Sequence, residues 1–584
     1  MNFLNPVYTE RRECQDCYKC VRHCPVKAIK VEGGYASVMP ELCILCGQCV
    51  ESCPNGAKRV RDDLAQAREL LRTHPKVLVS LAPSFAAEFP EVRPAQMIRA
   101  LKRLGFFGVS ETALGAQLVS ARAAARIREE PGAVLISSAC PTVVAYLQKH
   151  DPEACALLTG ILSPMLAHGG LLRQAFGPDI GVVFIGPCIA KKAEAQQHPE
   201  LIDVALTFGD LRRWLEQEKL VPDSLAEEET DRFVPERAME GAWYPVDGGM
   251  IAGMKSACPV TEGTFMSFSG LGAIRRALDG IRSCPPEGGV FLELLACEGG
   301  CVNGPGVAAR GGTVAKRSRI LKYGRTPRAQ LPRAAGPVLA AAFPPAPPPS
   351  AAIPDSQIRD ALKLVGKFTS EDELNCGGCG YESCREFGRA LVQQKAERAM
   401  CVTHMRKLAH KKANALIQKM PSAVVIVSDA LRIIECNAAF SALVAKPASG
   451  GEAPASPEGK LLSEVLPFSG LFQSVLKTGE DIPGRDLRFQ NTILHAAIFT
   501  IEKHAIVGGI IQDITEPAVR KAQVIRKARE VIQKNLATTQ KIAFLLGENA
   551  AESEITLNSI IDSFSPPRPD EAKEDHDWRK LYRR

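Results

Sequence analysis

The sequence predicts a multidomain chain, α/β through its middle and α+β further on, with small cysteine-rich modules on either side of the α/β part. Three observations predict it. At 584 residues the chain exceeds what one hydrophobic core supports, so several domains are expected. Between residues 74 and 325 the apolar runs KVLVSLAP, AVLISSAC, IGVVFIGPC and GVFLELLAC read as buried strands, each followed by a turn or helix. The 20 cysteines are grouped: eight lie between Cys14 and Cys53, and four between Cys376 and Cys401.

The bulk numbers narrow the function classes. A hydrophobic content of 46% with 23% charged residues is ordinary for a globular protein. The net charge of +7 is small for this length. The basic residues of 516–534 read as a solvated helix face, so no nucleic-acid partner is expected. The start, MNFLNPVYTERRECQDC, lacks the basic-then-apolar run of a secretion signal. No stretch approaches roughly eighteen consecutive apolar residues, so no membrane span is expected. A cytoplasmic location follows as the expectation, and there clustered cysteines serve metals or catalysis more often than disulfides.

Along the chain, residues 1–60 are dense in cysteine and poor in long periodic segments, so bound clusters must hold that module together. In the α/β domain, 74–325, a helix is predicted over 94–104 (PAQMIRALKRL). Cys140, Cys188 and Cys297 follow three of the predicted strands, at the carboxyl ends where open α/β sheets place ligands. Residues 326–354 form a Pro/Ala linker, semi-rigid and without a core of its own. A third cysteine group occupies 356–410. An α+β segment follows over 415–515, with strand-like SAVVIVS, RIIECN and AIVGGIIQDI. The stretch 516–564 reads as a long helix with Val524, Ala528, Val531, Ile542 and Leu545 at four- and three-residue steps, and the charged tail 565–584 is predicted to be disordered.

The first motif is a duplicated run, Cys14-x2-Cys17-x2-Cys20-x3-Cys24-Pro25 and Cys43-x2-Cys46-x2-Cys49-x3-Cys53-Pro54. This is the bacterial two-cluster ferredoxin run, in which the fourth cysteine of each motif ligates the other 4Fe–4S cluster. One cluster is expected on Cys14, Cys17, Cys20 and Cys53, the second on Cys43, Cys46, Cys49 and Cys24. The short spacings let one loop wrap three irons. A disulfide knot or zinc ribbon is the alternative, and two identical runs argue against it.

Three further motifs, SSACPTVVAYL (137–147), IGPCIAKKAEA (185–195) and ELLACEGGCVNGPG (293–306), make the middle domain resemble the H-cluster domain of FeFe (iron-only) hydrogenases. The resemblance implies a cubane on Cys140, Cys188, Cys297 and Cys301. Cys301 would bridge it to a two-iron subsite carrying carbon monoxide, cyanide and a dithiolate. Lys191 would hydrogen-bond a cyanide and Glu194 would fix that lysine, so Lys191, Glu194 and Cys301 are the candidate catalytic residues. A buried ammonium needs an anionic partner, and a metal-bound cyanide is one. Glycines around Cys301 allow close backbone approach.

Departures from the family pattern bear on activity. The family's proton-relay cysteine falls at Ala139, and the carboxylates that extend its proton path fall near Arg122 and Ala123. Ser163 keeps the serine of that path. The two methionines that flank the subsite fall at Gly186 and Leu295, and the family's small-subunit-like tail is missing after the last motif. Positioned proton transfer is typically worth about 10² to 10⁴ in rate, so slow turnover is expected. Cys258 and Glu262 in SACPVTEGTF would offer a substitute relay, the alternative being a structural cysteine in a turn. Cys155, Cys284, Cys436, His150 and His168 read as structural. The glycines of GLGAIRRAL lack the spacing and context of a dinucleotide loop.

The third group, Cys376-x2-Cys379-x4-Cys384-x16-Cys401, is similar to the small 4Fe–4S domain of corrinoid iron–sulfur proteins. A four-cysteine zinc site has the same ligand count. Residues 415–515 resemble a PAS domain through PSAVVIVSDALRIIECNAAFSALV, with Asn437-x2-Phe440, and through the Asp513-Ile514-Thr515 exit of IIQDITEP. A PAS ligand is not readable, and His495 and His504 read as structural. The helix after it would pair with its own copy, making a homodimer through 516–564, or with a partner, with Asn535 setting register. Packing on its own PAS domain is the alternative.

The whole resembles the sensory hydrogenases often called group C. That implies sensing of dihydrogen or redox state through an H-cluster, three further 4Fe–4S clusters, and a PAS output. It also implies maturation proteins for the H-cluster and a redox partner such as ferredoxin or another hydrogenase. No kinase, phosphatase or cyclase motif is present, so a separate effector, a serine phosphatase or kinase, is expected. Two alternatives stand: a competent FeFe hydrogenase working with ferredoxin, and an iron–sulfur assembly or redox protein without the two-iron subsite. Whether the chain is an enzyme stays open, a low-turnover hydrogenase being the expected form.

Overall fold

In the computed structural model the residues described are 5–258, 264–284, 286–308, 311–324, 339–349, 352–445, 456–489 and 492–514. Glu262, much of the 326–354 linker, Thr515, the 516–564 helix with Asn535 and the 565–584 tail lie outside them. The chain divides into two units, 1–400 and 401–584.

The first unit begins with paired three-residue strands, β1 (Val7–Thr9) with β4 (Lys58–Val60) and β2 (Ile29–Val31) with β3 (Ala36–Val38), both antiparallel. Short helices Lys19–His23 and Gln48–Glu51 lie within the two cysteine runs. The buried apolar side chains there are mostly small, Val7, Val21, Ile29, Val31 and Ile44 with Tyr18 and Met39 the bulkier ones, too little to stabilise so small a module unaided.

The α/β domain holds seven strands: β5 (Val77–Leu81), β6 (Gly108–Glu111), β7 (Val134–Ile136), β8 (Gly181–Gly186), β9 (Val204–Thr207), β10 (Thr264–Ser269) and β11 (Val290–Leu295). They form two parallel sheets of order β6-β5-β8-β9 and β10-β11-β7. All four expected strands are present, and every residue of β5, β8 and β11 is buried, as in a sheet covered on both faces. The helix expected over 94–104 runs Pro94–Arg103, with proline in its first turn. Helix Leu64–Thr73 buries Leu64, Ala67 and Leu70 in the same apolar cluster as β5 and β8, so the domain starts ahead of residue 74.

Two polar devices hold this core. His168 is fully buried, with Nδ1 2.7 Å from Ser80 Oγ and Nε2 2.8 Å from Ser110 Oγ. Burial lowers its pKa to about 3, so it stays neutral and structural. Lys192 is fully buried and donates to Asp63 (2.9 Å) and Asp210 (2.8 Å). This ties the segment leaving the N-terminal module to the α/β domain. The Pro/Ala segment is not a free spacer: among its described residues, Leu162 N donates to Leu339 O, Ala341 N to Gly160 O and Ala346 N to Gln148 O. A third module follows, helices Asp355–Lys363 and Cys384–Val392 packing through Ile358, Leu362 and Phe387.

In the second unit, helix Val402–Lys419 leads into a five-stranded antiparallel sheet: β12 (Ala423–Ser428), β13 (Ile433–Cys436), β14 (Ile482–Phe489), β15 (Thr492–Glu502) and β16 (Ile506–Asp513). Its order is β13-β12-β16-β15-β14. Helices Ala438–Val444, Leu462–Val465 and Ser469–Thr478 cross over between β13 and β14 and bury Phe440, Leu462 and Phe472 on it. Asn437 is its local pin. Its side chain accepts from Phe440 N (2.9 Å) and Val424 N (2.9 Å) and donates to Ser422 O (2.7 Å), joining helix cap to strand. This is the α+β segment expected over 415–515.

Removing one partner of a buried ion group leaves uncompensated charge and costs about 3–5 kcal/mol. Lys192→Ala should lose stability of that order in anaerobic urea unfolding, whereas a loss under about 1 kcal/mol would show that Asp63 and Asp210 do not depend on Lys192.

Candidate metal centre

Strands β7, β8 and β11 carry the three cysteine-bearing turns at their carboxyl ends, on two different sheets that meet there. Cys140 sits just ahead of helix Pro141–His150, with proline at its first position. Cys188 precedes helix Ala190–Gln197. Cys297 and Cys301 flank Gly299 and Gly300, both with left-handed φ. All four cysteines line one cavity of about 110 Å³. Two helix N-termini border it, which favours an anionic occupant.

The four thiols are a poor arrangement without metal. Burial first, and then the charges of neighbouring thiolates, push Cys188 up to about 11 and Cys297 and Cys301 higher still. Among the described residues no three cysteine, histidine or carboxylate side chains close on a single ion; the donor set instead surrounds a volume that a multi-iron cluster would take. Among the described residues the only cation on the cavity wall is Lys191. Its Nζ donates to Ser163 Oγ (2.7 Å) and Glu194 Oε2 (2.6 Å), and an ammonium has three donors. Glu194 therefore orients Lys191 as expected, and Ser163, which also caps helix Pro164–Phe176, is the second anchor.

Ser84 was not singled out from sequence. It lines the cavity, is 1% exposed, and its hydroxyl has no hydrogen-bond partner among the described residues. An orphaned buried hydroxyl costs free energy unless a ligand takes its bond, so Ser84 fits a polar group inside the cavity. The turn Ala82-Pro83-Ser84 ends β5, and strand-end placement was the signal that pointed to it.

The positions that depart from the family pattern take definite places. Ala139 and Leu295 are on the cavity wall. Arg122 pairs with Glu129 at 2.7 Å on the outer side, and Ala123 is buried among Val119, Leu135 and Met250. Gly186 ends β8. Apart from the four cysteines and Lys191, Tyr244 is the one titratable wall residue. It is 3.0 Å from Ser120 Oγ and burial raises its phenol. Cys258 caps helix Gly249–Ala257, buried and off the cavity wall. Glu293 accepts from Met250 N and Ile251 N, and burial raises its carboxyl to about 7.

The N-terminal module is seated against this centre. Gly47 has φ +79, and a Cβ there would lie 2.3 Å from Pro305 Cβ and 3.0 Å from Ile189 Cδ1. Only glycine tolerates both the conformation and the approach. From the other side, Lys149 donates to Cys43 O at 2.7 Å and His150 Nε2 lies 2.8 Å from Leu42 O, so the helix begun by Cys140 grips the second cysteine run. The eight cysteines fall into two electrostatic neighbourhoods. Cys20, pushed by burial to about 11, feels Cys17, Cys14 and Cys53. Cys46, pushed to about 12, feels Cys24 and Cys43, and Cys49 feels all three. Cys53 is thus a neighbour of the first run and Cys24 of the second.

In the third group, Cys384 opens helix Cys384–Val392 with its N–H on Asn375 Oδ1 (2.8 Å), and Cys376 and Cys379 lie in the glycine loop before it. Cys401 belongs to the second unit, where it caps helix Val402–Lys419. There, His495 pairs with Asp486 at 2.6 Å and His504 meets Leu476 O at 2.9 Å, both at the surface. Cys155 and Cys436 are buried and Cys284 is exposed. Among the described residues no helix is long and apolar enough to cross a membrane.

Residues 73–305 match the model of the iron only hydrogenase large subunit, C-terminal domain, residues 6–58 a 4Fe–4S dicluster domain, and residues 372–403 an Fe–S cluster family. The chain is 25% identical over 385 residues to the NADP-reducing hydrogenase subunit HndD of Solidesulfovibrio fructosivorans, covering 53% of this chain and 65% of that one. It is 25% identical over 236 residues to the cytosolic Fe–S cluster assembly factor NAR1 of Meyerozyma guilliermondii, covering 36% and 44%. A variant of the [FeFe]-hydrogenase HydA1 from Chlamydomonas reinhardtii is 20% identical, with 46% of this chain and 91% of that chain covered at a TM-score of 0.37, a value on which nothing further rests. The chain is an iron–sulfur protein with a two-cluster 4Fe–4S module at residues 6–58, and its residues 73–305 belong to the iron-only hydrogenase large-subunit family.

Proposed function

We propose that the chain is a sensory FeFe hydrogenase, a slow reporter of dihydrogen or redox state. The observation that carries this reading is the composition of the cavity wall. It keeps Lys191, held by Glu194 and Ser163, yet Ala139 stands where a proton relay is needed, and among the described residues no carboxylate or imidazole lines the wall.

Cys140, Cys188, Cys297 and Cys301 would hold the cubane, Cys301 bridging to the two-iron subsite. Bound there, an H-cluster supplies heterolytic cleavage of dihydrogen. The protein's own part is positional. Lys191 would offer its third N–H, and Ser84 its hydroxyl, to a bound cluster's anionic ligand, and the apolar wall of Ala139, Met165, Phe184 and Leu295 would exclude water from it. Among the described wall residues none offers a proton carrier near neutral pH, since burial raises the Tyr244 phenol. Clusters on the Cys14–Cys53 ligand sets and on Cys376, Cys379, Cys384 and Cys401 would carry electrons between the centre, a redox partner and the PAS-like sheet of the second unit. A separate phosphatase or kinase would read the output, and maturation proteins would supply the two-iron subsite.

The assembly-factor reading, which the likeness to NAR1 also suggests, leaves the third N–H of Lys191, beyond its bonds to Glu194 and Ser163, with no acceptor to meet. The metabolic reading requires fast turnover. Ala139→Cys should raise hydrogen evolution with reduced viologen by about 10²-fold or more, within the 10² to 10⁴ typical of positioned proton transfer. An unchanged rate would contradict the claim that the missing relay limits it. Lys191→Met should retain the cubane's iron after maturation but lose the two-iron subsite's share. Equal iron in both proteins would remove Lys191 from cofactor retention.

A further inference from the structure

Within the first unit, the third module's cysteine loop is built against the N-terminal module's helix Lys19–His23, between Cys17 and Cys24. Lys27 Nζ donates to Gly380 O (2.7 Å), and Arg22 spans from Cys17 O (3.0 Å) to Gly378 O (3.2 Å). Val31 N donates to Lys395 O (2.9 Å), extending the edge of β2 onto the third module. Gly380 has φ +92, and a Cβ there would lie 2.9 Å from Val21 Cγ1 and 3.1 Å from Arg22 N, so the loop sits as close as backbone allows. Beside it Tyr381 is 5% exposed, its ring 5.9 Å from that of Phe387, and its hydroxyl has no hydrogen-bond partner among the described residues.

Buried tyrosine hydroxyls are nearly always hydrogen-bonded. This one follows Cys379 in the loop that meets helix Lys19–His23, and an iron-bearing thiolate is the acceptor the site lacks. We infer that the contact of Gly380 and Tyr381 with helix Lys19–His23 is the electron-transfer joint between the N-terminal and third iron–sulfur modules, with Tyr381 donating to a ligand thiolate across it. The inference rests on the proposed cluster set. The step is a single electron: a reduced cluster of the N-terminal module returns to its oxidised state as the third module's cluster is reduced, with no bond or proton exchanged. Hydrogen bonds to cluster sulfurs raise reduction potentials, so Tyr381 is a positioning residue that sets the potential of one cluster at the joint.

The test is an anaerobic redox titration of the full chain, poised with dithionite and followed by electron paramagnetic resonance. Tyr381→Phe should shift one cluster's midpoint downward while the others stay in place, with iron content unchanged. Gly380→Ala should abolish magnetic coupling between the third module's signal and the N-terminal signals. The double variant Arg22→Gln/Lys27→Met should do the same, and serves if Gly380→Ala does not fold. Unchanged midpoints in Tyr381→Phe together with unchanged coupling in the joint variants would overturn the inference. Lack of a third-module signal in the parent chain would instead overturn the cluster assignment beneath it.

Discussion

Four buried thiols facing one another across a single cavity are the constraint on which the centre depends. Cys188, Cys297 and Cys301 are pushed toward their protonated forms by burial and by neighbouring thiolates, and among the described wall residues Lys191 alone offers a positive charge. Ligation resolves this, because metal replaces the protons and binding free energy becomes folding free energy. Much of the architecture serves to bring those thiols together. Two parallel sheets abut so that the ends of β7, β8 and β11 meet, and two helices begin at the cysteines. Gly47 lets the N-terminal module close on the turns around Ile189 and Pro305.

The same logic separates what holds a cluster from what drives turnover. Lys191 bonds both Glu194 and Ser163 beside the cavity, and Ser84 adds an orphaned hydroxyl. Binding is thus well provided. Proton delivery is not, since the positions of the family's relay are a methyl group at Ala139, a surface ion pair at Arg122 and an apolar core residue at Ala123. A receptor can tolerate that imbalance, because its output depends on the state of the centre and not on flux.

Much of this was legible in the sequence because parallel strands buried on both faces read as unbroken apolar runs, and because cysteine spacing follows cluster geometry. The helix Pro94–Arg103 and all four predicted strands followed from period and composition. β6 was missed because GVSE carries Ser110 and Glu111, polar residues buried with partners such as His168 far along the chain. β10 was missed because its residues are only partly buried. Composition made 326–354 a semi-rigid linker without a core of its own, and hydrogen bonds from its described part to residues 148–162 are ones that no local pattern reveals. Lys192 drew no notice beside Lys191, since its partners lie 129 and 18 residues away. Ser84 is one small hydroxyl after a proline, and only the orphaned bond makes it informative.

The central claim is that this cavity holds a working H-cluster. Infrared spectroscopy of the anaerobically purified, matured chain, with and without dihydrogen, tests it most directly. The account predicts carbon monoxide and cyanide stretching bands that shift on exposure to dihydrogen. Protein with its full complement of cubane iron but no such bands after competent maturation would contradict it and leave a cubane-only redox protein.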